Sequence, residues 1–315
     1  MQPARAHAPG KLILFGEHAV VHHRPAIAVP LPAVQARAEA IPAEFGAGLT
    51  VHIPDANRTL RVTGELDQED PLYNALIYPL ELALDALNEA IPDLEITIRS
   101  NIPVASGLGS GAALATALIR ALALALGRPL NNDALNALVY EVEKRHHGNP
   151  SGIDNTVIVY ERPVYFVRGT PPEPFTVGAP LTLVVGDTGV NSPTHLAVAD
   201  VARLYEREPE RITPIFDRIG EIACQARAAI ESGNIAALGP LMDENHALLR
   251  ELTVSSPELD TLCAAARAAG ATGAKLSGGG RGGNMIALVA PEAAPIVAGA
   301  LRAAGATASF ATTIG

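Results

Sequence analysis

The spacing of apolar and polar residues predicts a chain in which short strands alternate with longer helices. Residues 12–15 form a continuous apolar run typical of a buried strand, whereas residues 34–40 and 94–98 alternate apolar and polar positions, as half-buried strands do. Apolar residues recur at helical spacing in residues 72–90 and 112–126. The second of these helices is apolar on nearly every side, so we expect it to be central.

The alternation of predicted strands and helices continues to the end of the chain. It predicts a helix over residues 133–145, strands over 156–160, 164–167, 181–185, 286–289 and 309–314, a mostly helical stretch from 197 to 269, and a helix over 293–303. The prolines of residues 171–174 are the strongest linker signal and divide the chain into residues 1–172 and 173–315. Both parts mix helices with strands, which indicates an α+β fold in two domains rather than a doubly wound sheet.

Composition narrows the classes of partner. The chain has 315 residues, of which 48% are hydrophobic and 18% charged, so a sizeable core is expected. A net charge of -10 argues against nucleic acid or an anionic membrane as the main partner. Cys224 and Cys263 do not make a disulfide framework, no export signal opens the sequence, and the apolar run 112–126 is too short to span a bilayer. The expected location is the cytoplasm.

The first chemical signal is a glycine-rich loop in residues 103–113, between a predicted strand and the apolar helix. Glycines let the backbone approach a ligand, and a helix N-terminus offers free N–H groups. A phosphate is therefore the expected ligand of this loop. The loop lacks the spacing and the lysine of a Walker A motif, and it does not fit the dinucleotide fingerprint. A plain strand-to-helix turn remains an alternative for the glycines alone.

Two further segments carry glycine next to charged residues. Residues 275–283 contain a block of glycines beside an apolar strand, which suggests that the backbone approaches a ligand or another part of the protein. Residues 9–18 place Lys11, Glu17 and His18 around one buried strand. Taken alone, these charged residues would be read as solvated strand ends.

Two carboxylates flank a tight turn in residues 143–155. Glu143 lies near a helix end, where it can reach a metal held by phosphates, and Asp154 is predicted to open the next strand after a Pro-Ser-Gly turn. A carboxylate for a divalent ion and a second one for a substrate hydroxyl are the minimum for phosphoryl transfer. The histidine pairs at 146–147 and 22–23 face different ways, so a zinc site is not expected there.

Together, the N-terminal Pro-Gly-Lys strand, the Gly-Leu-Gly-Ser loop and the late glycine block resemble, in this order and over nearly the whole chain, the GHMP kinases. The resemblance implies an N-terminal domain with a left-handed βαβ element, a ferredoxin-like C-terminal domain, an active site in the cleft between them, and ATP with Mg²⁺. Residues 16–28, 147–155 and 187–194 resemble most the family members that act on mevalonate. The implied reaction is therefore phosphorylation of the 5-hydroxyl of (R)-mevalonate.

The resemblance also implies residue roles. Asp154 matches the catalytic aspartate, Lys11 the cation beside it, and Glu143 the magnesium ligand. The remaining matches are Pro103, Ser106, Gly107, Leu108, Gly109, Ser110, Gly111 and Ala112 for the phosphate loop, Gly278, Gly279 and Gly280 for the block that steadies the triphosphate, and Glu17 and His18 for the mevalonate side. Arg168 is a candidate partner of the mevalonate carboxylate, and Thr188 a weaker candidate for the substrate or the γ-phosphate.

One departure from the family pattern concerns the metal. The family loop usually carries a second serine as magnesium ligand, and Gly111 stands in its place, so either Ser110 turns to the metal or Glu143, phosphates and water suffice. Arg281 either adds a cation near the phosphates or faces solvent. The alternatives to the mevalonate reaction are another family enzyme, acting on homoserine or a phosphomevalonate, and a non-catalytic metabolite sensor. A homodimer is compatible with the resemblance.

Overall fold

A computed structural model describes residues 2–62, 72–103, 107–147, 150–191 and 193–315, as a mixture of strands and helices. The strands are β1 (Ala4–Phe15), β2 (Ala26–Pro42), β3 (Leu49–Ile53), β4 (Arg58–Val62), β5 (Leu94–Ser100), β6 (Val164–Phe166), β7 (Glu173–Pro174), β8 (Leu181–Asp187), β9 (Gly273–Leu276), β10 (Asn284–Val289) and β11 (Ala308–Ile314). The helices are α1 (Tyr78–Leu87), α2 (Ser110–Ala125), α3 (Asn132–His147), α4 (Ile153–Tyr160), α5 (Thr194–Arg207), α6 (Pro209–Ser232), α7 (Leu238–Glu251), α8 (Pro257–Ala268) and α9 (Ala294–Ala303). The predicted mixture of α and β structure is confirmed.

Two compact units are each assembled from several chain segments. The first unit comprises residues 1–10, 34–103 and 109–161, and the second comprises residues 11–33, 104–108 and 162–315. Strands β1 and β2 each contribute residues to both units. The predicted division after residue 172 concerns the two domains of the family and stays a prediction.

The first unit joins a sheet to a layer of helices. Within it β4, β3, β5 and the second part of β2 are neighbours in that order, with β3 parallel to β5 and the other pairs antiparallel. Helix α2 packs against α1, α3, α4 and β5, and its residues Leu118, Ile119 and Leu122 are fully buried. The prediction that the apolar helix is central is therefore confirmed, because a helix that is apolar all round is stable only when it is covered on every side.

The predicted strand over residues 156–160 is wrong, because these residues belong to helix α4. The β-branched run from Val157 to Val159 favours a strand by propensity, and a short buried apolar run has the same appearance in a helix and in a strand. Gly152, with a φ of +85°, turns the chain into the helix, and the Thr156 hydroxyl donates to the Gly152 carbonyl at 2.7 Å. Packing against α2 and α3 then covers the buried side of α4.

The second unit is built around a four-stranded antiparallel sheet in the order β11-β8-β10-β9. Its core includes Val184, Phe216, Leu262, Met285 and Val297, contributed by the sheet and its covering helices. Within the same unit the first part of β2 pairs with β6, which pairs with β7. Strand β9 was not predicted, because its four residues are followed at once by the glycine block. Strands β3 and β4 were also missed.

Helix α7 approaches strand β9 unusually closely. A Cβ atom placed on Gly273 would lie 2.2 Å from the carbonyl oxygen of Gly239, and a Cβ on Gly239 would lie 2.2 Å from the carbonyl oxygen of Thr272. Only glycine at both positions permits this approach. The contact brings the polar residues of α7 next to Lys275 in β9.

In the described part of the chain no helix has the length and hydropathy of a membrane span.

Candidate functional site

The glycine loop of residues 107–109 leads directly into helix α2. Gly107 and Gly109 both have a φ of +76°, a conformation that favours glycine, and Gly109 is the residue from which α2 begins. The first N–H groups of the helix, from Ser110 onward, have no partner within the helix itself. This arrangement is suited to an anion such as a phosphate. Pro103 precedes the loop, and the predicted ligand Ser106 lies outside the described residues.

A carboxylate lies beside the first turn of this helix. Glu143, in α3, is 5% exposed, and its Oε1 atom lies 3.6 Å from the position that a Cβ atom would take on Gly111. One carboxylate next to a turn that suits a phosphate fits Mg²⁺, which usually takes its other ligands from phosphates and water. Glu143 therefore suits the predicted metal role. Ser110 is half-buried in the same turn.

Asp154 is held by a helix rather than by the start of a strand. It lies in the first turn of α4 and is half-buried. The neighbouring Asn155 is buried, and its side-chain amide donates to the Oδ1 atom of Asn136 in α3 at 2.7 Å. Its own Oδ1 atom has no hydrogen-bond partner among the described residues. The direction of the Asp154 side chain is thus set by a helical turn that is bonded to α3.

Lys11 belongs to the second unit. It is 8% exposed, and its backbone N–H donates to the Leu108 carbonyl at 2.9 Å. Lys11 in β1 and Leu108 in the glycine loop, which is 97 residues further along the chain, are therefore bonded to each other within the second unit. The predicted proximity of Lys11 to Asp154 stays a prediction.

His18 has a strained backbone and one free ring nitrogen. Its φ is +61°, which is uncommon for a residue other than glycine. The Nε2 atom lies 3.0 Å from the Gly279 carbonyl, and a carbonyl only accepts, so Nε2 carries the proton. Nδ1 is then an acceptor, and it is buried without a partner among the described residues. Burial lowers the pKa of His18 to about 4, so the ring is neutral at pH 7.

Glu17 faces the interior. Its side chain is 1% exposed and pairs with the ammonium group of Lys275, which is 0% exposed. The side-chain amide of Asn245 donates to the second Glu17 oxygen at 3.3 Å. The sequence predicted Glu17 on the mevalonate side. For Lys275 the only available signal was its position as a lysine inside an otherwise apolar strand, and nothing in the sequence pointed to Asn245.

The late glycine block is fixed by its own tight contacts. The Ser277 hydroxyl donates to the Ile13 carbonyl at 2.7 Å, which ties the block to β1. Gly280 has a φ of +76°, and a Cβ atom there would lie 1.9 Å from the Val254 carbonyl oxygen. Arg281 pairs with Asp200 of α5, and its backbone N–H donates to Val254 at 2.8 Å. The role of Arg281 toward the phosphates stays a prediction.

Arg168 and Thr188 both have backbone partners within the second unit. The exposed Arg168 donates from Nη1 to the Val21 carbonyl at 3.0 Å. The Thr188 hydroxyl donates to the Gly283 carbonyl at 3.0 Å, which connects the end of β8 to the glycine block. Their roles toward substrate stay predictions.

The two buried histidines predict a pH-dependent stability. Burial lowers the pKa of both His18 and His246 to about 4, whereas an unfolded histidine titrates near 6.5. Between these values the unfolded state binds more protons, so stability falls as the pH is lowered from 6.5 to 4. We expect each histidine to remove about 2 kcal/mol of the free energy of unfolding between pH 7 and pH 5.

Urea unfolding at the two pH values measures this loss. The variant His18→Gln should show a smaller difference between pH 7 and pH 5 than the wild type, because the titrating ring is gone. An equal difference in both proteins would contradict the role of His18. Comparing the two proteins cancels the carboxylates that titrate in the same range.

Family models and known proteins match most of this chain. A model of the GHMP kinases N terminal domain matches residues 75–162, and one of the GHMP kinases C terminal matches residues 226–307. The mevalonate kinase of Pyrococcus horikoshii is 38% identical over 320 residues, which cover 95% of this chain and 92% of the relative. The mevalonate kinase of Thermococcus gammatolerans is 38% identical over 322 residues, which cover 96% and 93%.

Solved structures agree with these relatives. The structure of L. major mevalonate kinase in complex with R-mevalonate superposes with a TM-score of 0.83 at 30% identity, covering 98% of this chain and 95% of that one. The Methanococcus jannaschii mevalonate kinase gives a TM-score of 0.86 at 26% identity, covering 99% and 98%. A Lactococcus lactis galactokinase, at 19% identity, shares the fold with a TM-score of 0.74, covering 99% and 92%.

Proposed function

The chain belongs to the GHMP kinases, and we propose that it transfers the γ-phosphoryl group of ATP to the 5-hydroxyl of (R)-mevalonate. The observation that carries the proposal is the 38% identity to a mevalonate kinase over 95% of this chain. The solved relative that holds R-mevalonate supports the same substrate. The geometry supports the reaction class, because the glycine turn at α2 suits a phosphate and Glu143 lies beside it.

The reaction needs a base, a bound triphosphate and charge neutralisation. Asp154 takes the proton of the 5-hydroxyl as that oxygen attacks the γ-phosphorus, the bond from the γ-phosphorus to the β–γ bridging oxygen breaks, and ADP leaves with that electron pair. Lys11 offers a cation for the developing charge. The N–H groups at the start of α2 bind phosphate oxygens, which orients the triphosphate.

Mg²⁺ would be held by Glu143, with the remaining ligands from the nucleotide and water, and it supplies charge neutralisation on the phosphates. The buried carboxylate beside Gly111 is the observation that fits this ion. Ser110 is the second candidate ligand.

An ADP-release assay tests the proposed substrate. Mevalonate, homoserine, galactose and phosphomevalonate are offered as acceptors at equal concentration, and the product is identified by ³¹P NMR. We expect turnover on mevalonate with a new phosphomonoester at its 5-oxygen. Turnover confined to another acceptor would contradict the substrate, and nucleotide binding without turnover on any of them would favour a sensor.

The missing loop serine gives a prediction about the metal. Gly111 has room for a side chain, because among the described residues a Cβ atom there meets only the Glu143 carboxylate, at ordinary contact distance. The variant Gly111→Ser places a hydroxyl beside Glu143, and we expect the Mg²⁺ concentration for half-maximal activity to fall by about fivefold, equivalent to about 1 kcal/mol.

The variant Gly111→Ala is the matched control for this prediction, since it adds the same Cβ atom without a hydroxyl. We expect its Mg²⁺ dependence to stay at the wild-type value. Equal shifts in the two variants would mean that the added carbon stiffens the loop and that the hydroxyl does not bind the ion.

We further propose a cytoplasmic location and a homodimer. The two free cysteines support a reducing compartment, and the family resemblance supports the dimer. Light scattering after gel filtration measures the mass directly, with one chain contributing 32.6 kDa.

A further inference from the structure

The second unit contains a fully buried ion pair that phosphoryl transfer does not use directly. Glu17 and Lys275 lie 258 residues apart in the chain, with side chains that are 1% and 0% exposed. The Lys275 ammonium group also donates to the Leu276 carbonyl at 2.6 Å and lies over the Phe15 ring. Asn245 supplies a further hydrogen bond to Glu17.

Burying an ion pair in a protein core carries a large desolvation cost. Burial lowers the pKa of Lys275, and the adjacent Glu17 carboxylate opposes that shift. Removing two charges from water costs about as much as their attraction returns, so apolar side chains of the same size would stabilise the fold at least as well. What the pair adds is a fixed geometry, since each charge has the other as its counter-charge and the remaining hydrogen bonds to Asn245 and Leu276 fix both ends.

The geometry concerns the segment that contains His18. Gly16 has a φ of +94°, and a Cβ atom on it would lie 2.4 Å from the Cα of Ala26, so the turn is packed tightly before Glu17. His18 follows directly with its strained φ of +61°. A strained residue of this kind persists only where its surroundings fix it. Both neighbours of His18 are buried, Ala19 in the apolar core and Glu17 through its ion pair with Lys275.

The other end of the pair anchors the glycine block. Lys275 lies in β9, two residues before Ser277, whose hydroxyl donates to Ile13. Gly279 then presents its carbonyl to the His18 ring. The buried pair therefore connects the two segments: the His18 turn adjoins Glu17, and the glycine block follows Lys275.

We propose that Glu17 and Lys275 are positioning residues, which hold the strained His18 turn against the Gly279 carbonyl and so aim the free Nδ1 acceptor of His18 at substrate. This inference rests on the proposed function and goes beyond it, because it removes Glu17 from direct contact with mevalonate. The carboxylate is buried, and both of its oxygens have protein partners.

A double-mutant cycle tests the pair. Glu17→Gln leaves a buried ammonium without its counter-charge, Lys275→Gln leaves a buried carboxylate, and the double variant removes both charges while keeping amides that can bond to each other. We expect each single variant to raise KM for mevalonate by about tenfold, with a smaller rise in KM for ATP because Lys275 also anchors the glycine block, and the double variant to recover most of both losses. Arg218→Gln, which removes the partly exposed pair with Glu244, is the control and should change neither constant.

The protonation of His18 gives a second readout that does not depend on activity. In protein labelled with ¹⁵N-histidine, the His18 resonance, identified by its loss in His18→Asn, should titrate near the low value that burial imposes in the wild type. Arg281 and His22 also lower this pKa, and both stay in place in the variants. In each single variant we expect the pKa to rise toward 6.5 because the displaced ring loses its burial, which is the largest cause of the low value and outweighs the lost Gly279 hydrogen bond, which itself raises the pKa. In the double variant we expect the pKa to return.

The possible outcomes separate the explanations. The proposal is overturned if KM for mevalonate rises equally in Glu17→Gln and in the double variant while Lys275→Gln keeps the wild-type value. That pattern would mean that Glu17 touches substrate. Lower melting temperatures with unchanged KM and an unchanged His18 titration would show a structural role only, which overturns it as well. If the wild type does not phosphorylate mevalonate, the proposed function fails, and the His18 titration still decides the positioning.

Discussion

Replacing Asp154 with asparagine is expected to lower kcat for mevalonate phosphorylation by about a thousandfold, while the protein stays folded and binds ATP. Asparagine has the shape of aspartate and cannot accept the substrate proton, so the general-base contribution is lost and the binding contribution remains. Asp154 lies half-buried in the first turn of α4, and asparagine keeps the size and shape of the side chain there. Stopped-time assays of ADP release measure kcat. Circular dichroism and ATP titration of the same protein measure its folding and its nucleotide binding.

Glu161→Gln is the matched control for the loss of a carboxylate in the first unit. Glu161 immediately follows α4 and pairs with Arg120 at 2.7 Å, a contact that is partly exposed to solvent. An exposed pair contributes little, so we expect kcat to stay within about twofold of the wild type. Activity near the wild-type level in Asp154→Asn would remove Asp154 from the role of base.

Replacing Gly280 with alanine is expected to remove about 3 kcal/mol of the free energy of unfolding of the second unit and most of the activity. The added Cβ atom would lie 1.9 Å from the backbone oxygen of Val254, and the φ of +76° disfavours any side chain. Because the obstacle is backbone rather than a flexible side chain, the block itself must move. Urea unfolding followed by circular dichroism gives the change in stability.

Gly283→Ala separates the clash from the backbone strain. Gly283 has a φ of +68°, and no atom of the described residues lies within 4 Å of a Cβ atom placed there. We expect a loss of about 1 kcal/mol, which is the cost of the left-handed conformation alone. Equal losses in the two variants would show that the contact with Val254 is relieved at no cost.

The glycine turn before α2 could be predicted from the sequence because its evidence is local. Two glycines, a serine and an apolar helix follow one another in residues 107–126, and the structure has both glycines in the left-handed region and α2 beginning at Ser110. Each of these features depends on the residues themselves and their immediate neighbours. The burial of α2 followed from its composition, since a helix without a polar face has to be covered.

The element that carries Asp154 could not be read from the sequence alone. Residues 156–160 have the β-branched composition of a strand, and the structure makes them a helix because Gly152 turns the chain and α2 and α3 cover the apolar residues. Propensity was overruled by burial.

The sequence by itself determined the candidate chemical groups of this protein: the glycine loop before α2, the two carboxylates near residue 150, the lysine strand and the family to which they belong. These signals are residue types at fixed spacing, and spacing is local. Only the tertiary structure decided which polar side chains face inward. Glu17 and Lys275 are separated by 258 residues, and each becomes tolerable in the core only because folding brings the other to it. Desolvation and pairing are properties of the folded packing, so the buried pair beneath His18 could be found only there.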